Sequence, residues 1–201
     1  MLSDHYEYLN CFTSLEKSLI FKSLEKQQLK SVLNDMVLKK WEAGYFKNSI
    51  EDTSNFNFIV SGRLKIYQIN SKTGREYTIF ILSSGDVFDI INLLDSEPHQ
   101  VYWEAMDELM ILSISITKMR DFVLKYDQLN LSIFKYLAQR MRMLENAVTD
   151  VCFHNTLTRL SNLLLSNINE DSKKLEIINN LPNEEIAKLI GTTRTVVNRH
   201  I

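Results

Sequence analysis

Arg194, Thr195, Asn198 and Arg199 recur at a spacing that puts them on one side of an α-helix. An arginine there can bind O6 and N7 of a guanine as a bidentate pair. A threonine can donate or accept one hydrogen bond and offer its methyl to thymine. This is the chemistry of reading base edges in the DNA major groove. Thr192 and Thr193 precede the helix, where a hydroxyl can cap it. With the helix N-terminus they also suit a phosphate. The bland alternative is a solvated polar face. Upstream, Asn183 to Ile190 reads as a short helix with Ile186, Leu189 and Ile190 apolar and small Ala187 at a crossing point. Gly191 stands where a tight turn needs a positive φ. Together these segments predict a helix-turn-helix. Read this way, the second helix runs on past Ile201 and a wing follows. The 201-residue chain alone is then expected to hold DNA weakly.

Charge neither helps nor excludes this reading. The chain carries a formal net charge of -2. From residue 150 onward Arg159, Lys173, Lys174, Lys188, Arg194 and Arg199 are matched by Asp150, Glu170, Asp171, Glu176, Glu184 and Glu185. A groove-binding protein needs a basic face rather than a basic total.

Other chemistry is poorly supplied. There is no nucleophile elbow, P-loop or HExxH, and no convincing pair of carboxylates, so no enzyme is expected. Cys11 and Cys152 form no CxxC pair and read as two reduced thiols, without the ligand count for zinc or an iron-sulfur cluster. No metal site is expected. The opening MLSDHYEYLN lacks the basic start and apolar core of a signal peptide. No apolar run approaches the ~18 residues of a membrane span. The expected location is the cytoplasm, with no membrane partner.

The remaining elements must position the reading face. A composition 45% hydrophobic and 24% charged is enough to bury a core in one large or two small domains. Residues 13–34 predict one or two amphipathic helices. From Met36 to about Ser115, segments such as FNFIVSG, RLKIYQI, EYTIFIL, VYWEAM and LMILSIS alternate with turn residues. That texture predicts short strands in a sandwich or roll. Helix returns over 116–125 and then over about 128–151. In the longer helix Phe134, Leu137, Met141, Leu144, Val148 and Val151 step by three and four, the pattern of a coiled-coil seam. A second stripe of Leu129, Ile133, Tyr136 and Met143 faces another way and suits the roll. A helix with two apolar sides wants two partners, its own domain and a copy of itself; burial of both within one subunit is the alternative. A helix over about 155–167, buried through Leu157, Leu160, Leu163 and Leu164, and a small strand at Leu175, Ile177 and Ile178 complete the expectation.

This order resembles the cyclic-AMP receptor protein and fumarate-nitrate-reductase regulator (CRP/FNR) superfamily of bacterial transcription factors over nearly the whole chain. The resemblance is carried by IVSGRLKIYQI and GREYTIFILSSGDVF in the roll, LAQRMRMLE at 137–145 and TRLSNLLL at 158–165. It implies an α+β fold: a cyclic-nucleotide-binding-like β-roll (1–127), a dimerisation helix (128–152) and a winged helix-turn-helix that is incomplete here (153–201). It implies a homodimeric, sequence-specific regulator with a pseudo-palindromic double-stranded DNA operator and RNA polymerase as partners. Arg199 matches the base-reading arginine of the family, and Arg194 matches another arginine that reads a base or anchors the backbone. Thr195 stands where many members carry Glu.

The ligand positions depart from the pattern. The Gly-Glu pair of nucleotide-binding members is replaced by Asp89-Ile90, their Arg-Ser/Thr pair by His99-Gln100, and hydroxyls on the dimer helix by Leu144 and Glu145. Ile90 offers no acceptor, neutral His is no guanidinium fork, and Asp89 repels phosphate. No cyclic-AMP binding is expected. His99 beside Tyr102 and Trp103 leaves haem as one option; a small apolar or acidic ligand and no ligand at all are the others. A non-DNA regulatory or gas-sensing roll is the alternative function.

Overall fold

The computed structural model describes residues 5–95, 97 and 99–201; Met1 to Asp4, which open the segment read for a leader, lie outside them. The chain folds as two compact units. The first comprises residues 1–65 and 82–139, the second 66–81 and 140–201.

In the first unit, strands form where β-branched and aromatic residues crowd between turns. They are β1 (Val37–Trp41), β2 (Phe46–Asn48), β3 (Asn55–Ser61), β6 (Val87–Phe88), β7 (Tyr102–Ala105) and β8 (Leu109–Ser115). β4 (Leu64–Ile69) and β5 (Glu76–Leu82) are the hairpin that mostly belongs to the second unit. One sheet runs β1-β8-β3-β6 and the other β2-β7-β4-β5. β3 lies against β8 with Phe58 opposite Leu112, and β1 lies against β8 with Leu38 opposite Leu112. Five consecutive residues of β3 are buried, as expected of a central strand covered on both faces. Between β3 and β4, Gly62 has φ +89, and a Cβ there would lie 2.5 Å from the Glu108 carbonyl oxygen, so only glycine fits this corner.

Helices cover one face of the first sheet. α1 (His5–Lys17), α2 (Lys26–Asn34), α4 (Ile116–Lys125) and the first half of α5 (Asp127–Phe153) bury Leu15, Val32, Leu33, Met119, Leu129 and Ile133 in one core with Phe56, Phe58 and Leu112. The Phe21 ring meets Phe56 and Phe58 edge-on at 6.5 and 5.8 Å. Two capping devices fix this layer: the reciprocal Glu25–Gln28 box on α2 and the Ser115 hydroxyl accepting from Lys118 N–H on α4. The first helix already covers His5 among the described residues, well before residue 13, because Tyr8 stacks on Phe12 one turn later and extends the apolar side. α3 (Ile90–Asp95) follows β6 and has no counterpart in the periodicity reading.

In the second unit, α6 (Thr156–Ser166), α7 (Asn183–Leu189) and α8 (Arg194–His200) pack around Leu160, Ile186, Ala187, Ile190 and Val197. Asn155 caps α6 by accepting from Thr158 N–H. Three expectations need correction. Leu157 is exposed, since α6 turns Leu160 rather than Leu157 to this small core. Met143 is 43% exposed and does not continue the buried stripe of Leu129, Ile133 and Tyr136. Residues 175–178 form no strand. Asn169 closes the preceding loop by accepting from Asp171 and Ser172 N–H, and only the single bridge Ile168–Leu175 remains. Among the described residues no helix is long and apolar enough to cross a membrane.

Candidate functional site

The helix-turn-helix is built as its residue types require. α7 ends at Leu189 with Ile190 at its C-cap, the chain reverses at Gly191 with φ +65, and Thr192 N–H donates to the Ala187 carbonyl at 2.9 Å. Val197 is fully buried and holds α8 to α7. Its burial turns Arg194, Thr195, Asn198 and Arg199 outward together, all four exposed. Thr193 occupies the cap position of α8, but its side chain makes no capping bond; Thr192 is half-buried. One partner escaped the sequence reading. Asn183 at the start of α7 donates its amide to Asn198 Oδ1 at 2.8 Å, which fixes Asn198 and leaves its own amide N–H groups for an outside acceptor.

The link between α5 and α6 is equally defined. Asp150 Oδ1 lies 2.7 Å from His154 Nδ1 and accepts from the Asn162 amide at 2.9 Å. Asp150 therefore ties the last turn of α5 to α6 across His154 and Asn155. The seam residues of α5 are uncovered: Phe134 is 61% exposed, Leu144 41% and Val148 62%, with Met141 and Val151 also exposed and Leu137 partly packed on the core. Leu131 and Phe153 extend the same exposed apolar set.

In the first unit, the ligand-position residues follow β6. The Tyr136 hydroxyl donates to the Val87 carbonyl at 3.0 Å and accepts from Val87 N–H at 3.3 Å. Arg120 caps α3 by donating to the carbonyls of Asn92 and Leu93. Between these anchors Asp89 takes φ +66, a conformation costly for most L-residues but open to Asp. Asp89 is only 7% exposed and Asn92 3%. Asn92 lies near Asp89, yet neither side chain completes a hydrogen bond among the described residues. Burial pushes the Asp89 carboxyl up to about 7, with the Asn92 amide opposing and the Asp52 charge adding to it. Ile90 is buried, His99 half-buried and Gln100 exposed. Burial lowers the His99 imidazole, against the pull of Asp95. Ser49 donates its hydroxyl to the His99 carbonyl and accepts from Val101 N–H, so the strand into β7 is pinned there. Trp103 is buried edge-on against Phe88 at 5.0 Å. Leu144 lies on the half of α5 that belongs to the second unit.

The sequence of residues 46–126 matches the cyclic nucleotide-binding domain. Over 145 residues the chain is 26% identical to a CRP-like cAMP-activated global transcriptional regulator of Mycobacterium tuberculosis, covering 70% of this chain and 64% of that relative's length. It is similar in fold to the c-di-GMP responsive global regulator CLP of Xanthomonas campestris (TM-score 0.75, 14% identity, covering 88% of this chain and 89% of that one). A regulator of the CRP/FNR family from Eubacterium rectale superposes with a TM-score of 0.69 at 18% identity, over 90% of this chain and 83% of that one. The relatives are transcriptional regulators rather than enzymes, and the chain resembles the CRP/FNR regulators in its order of elements.

The residues at these ligand positions do not fit a cyclic phosphate. At the positions in question a buried carboxylate, an isoleucine, a half-buried neutral imidazole and a glutamine stand in place of an acceptor and a guanidinium. Arg120 is engaged with the α3 carbonyls, and Lys47 lies 2.9 Å from Asp52.

Proposed function

We propose that the protein is a homodimeric, sequence-specific DNA-binding transcriptional regulator whose signal is not cyclic AMP. The observation that carries this reading is the orientation of α8: Val197 is buried while Arg194, Thr195, Asn198 and Arg199 are exposed together. Arg199 reads a guanine, Thr195 a neighbouring pair, and Arg194, Thr192 and Thr193 lie beside the backbone. Two chains join along Phe134, Leu137, Met141, Leu144, Val148 and Val151. Their recognition helices then meet successive major grooves of a pseudo-palindrome, about 34 Å apart. A signal received near Asp89, Ile90, His99 and Gln100 shifts the population between poses of the DNA-binding segment. RNA polymerase is the downstream partner and the cytoplasm the location.

The test is a binding titration on promoter fragments from the protein's own genome. Arg199→Ala should lower specific affinity by roughly 10-fold or more and leave dimerisation intact. Equal affinity of the variant for specific and scrambled duplexes supports the assignment; unchanged discrimination refutes it.

A further inference from the structure

The second unit joins two stretches far apart in sequence, the hairpin 66–81 and residues 140–201. Its joints are specific. Arg75 Nη2 donates to the Gly191 carbonyl at 2.7 Å, and Arg159 Nη1 donates to the Ile190 carbonyl at 2.7 Å. These are carbonyls at the end of α7, where helix geometry supplies no N–H partner. Lys188 Nζ lies 2.7 Å from Glu76, 2.8 Å from Glu185 and 3.6 Å from Glu184. A Cβ on Gly191 would lie 3.7 Å from the Tyr77 ring, so the hairpin sits against the turn itself. At its other end the hairpin meets α5, with the Arg140 guanidinium 5.5 Å from the centre of the Phe80 ring.

From this geometry we propose that the β4–β5 hairpin is a latch on the helix-turn-helix, with Lys188 as its bolt between Glu76, Glu185 and Glu184 and with Arg75 closing it on Gly191. The latch holds α7 and α8 in one pose relative to the half of α5 that carries Met141, Leu144, Val148 and Val151. Three features support this. Lys188 meets three carboxylates, while Arg75 and Arg159 donate to the two carbonyls that follow α7, so cation and carbonyl joints hold the same end of that helix. The strand β5 faces α5 and α6 across a crevice of about 900 Å³ that also reaches Ile190. Close apolar packing therefore does not fill this region, and the polar joints carry much of the hold. The latch also touches the carbonyl end of α7 and leaves the reading residues of α8 exposed. It fixes their direction without covering them. Burial alone would lower the Lys188 ammonium, but the hydrogen bonds to Glu185 and Glu76 hold it well above its ordinary value, so the bolt stays charged across the physiological range.

The consequence for DNA rests on the proposed regulatory function. A latched reading helix meets its groove already oriented, and an unlatched one loses that preorganisation on binding. The experiment compares the intact protein with Glu76→Gln, Arg75→Ala and the pair Glu76→Gln/Lys188→Gln. Hydrogen exchange of amides 186–194 reports the latch, and titration with operator DNA reports its consequence. Glu76→Gln and Arg75→Ala should each speed exchange about 10-fold and weaken specific DNA binding by a similar factor. Adding Lys188→Gln to Glu76→Gln should speed exchange little further, because the two side chains act as one joint. Unchanged exchange in both single variants overturns the latch, whatever the protein binds. Faster exchange with tighter DNA binding also overturns it, because the hairpin would then restrain rather than preorganise. Faster exchange in a protein that binds no DNA upholds the latch and sinks the regulatory function instead.

Discussion

The Tyr136 hydroxyl satisfies both backbone groups of Val87, donating to its carbonyl and accepting from its N–H. One side chain of α5 thus fixes the two-residue strand β6 immediately before Asp89. Tyr136→Phe leaves a buried N–H and carbonyl without that partner. We expect a loss of about 1–3 kcal/mol in unfolding free energy, read by urea denaturation, with secondary structure retained. A loss within error would mean that Val87 is held by other contacts.

Asp89 makes stability depend on pH. Its folded carboxyl titrates near 7, against an ordinary value of 3.8. Between those values the folded state binds the extra proton, so stability falls as pH rises through the window, and the full cost remains above it. Asp89→Asn keeps a residue that tolerates positive φ and removes the titration. Relative to the parent, the variant should gain about 2–3 kcal/mol more at pH 8 than at pH 5. A gain independent of pH would show that Asp89 is ionised throughout.

Much of this architecture is written in local pattern. The pattern predicts α4 over 116–125 and it spans Ile116–Lys125; α5 runs one to two residues beyond the ends its pattern predicts. Both carry strong helical periodicity and lack glycine and proline. β4, β5, β7 and β8 lie within the segments singled out by their β-branched and aromatic content, and β3 starts one residue before its segment. β2 and β6 have three and two residues, too few for any periodicity. α3 hides in a run of apolar residues that suits strand or helix equally. The helix-turn-helix is legible because Gly191 and the apolar Ile186, Leu189 and Ile190 mark its geometry locally. Asn183 beneath Asn198, Asp150 at the hinge and Glu76 beside Lys188 are not. Each is an ordinary polar residue until the fold brings it to a distant partner.

The seam on α5 should behave as an interface. Val148 is 62% exposed in the single chain, so Val148→Glu should leave the fold intact. Sedimentation equilibrium should show the dimer constant weakened by roughly 100-fold or more, because pairing would bury a carboxylate against apolar side chains. A variant that dimerises like the parent would place the interface elsewhere.

Asp150 holds the α5–α6 link through His154 and Asn162. Asp150→Ala should free that link at a cost of about 1–2 kcal/mol in stability. Amides 154–158 should exchange faster while those of α4 do not change. Protection that is unaltered at 154–158 would remove Asp150 from the hinge.

The central claim is that two copies present paired reading helices to one duplex. Sedimentation velocity of the protein with a short promoter duplex that it retains specifically tests this directly. The account predicts a complex of two chains per duplex, which Val148→Glu reduces to free DNA at the same concentration. A specific complex of one chain per duplex, unaffected by that substitution, would contradict it.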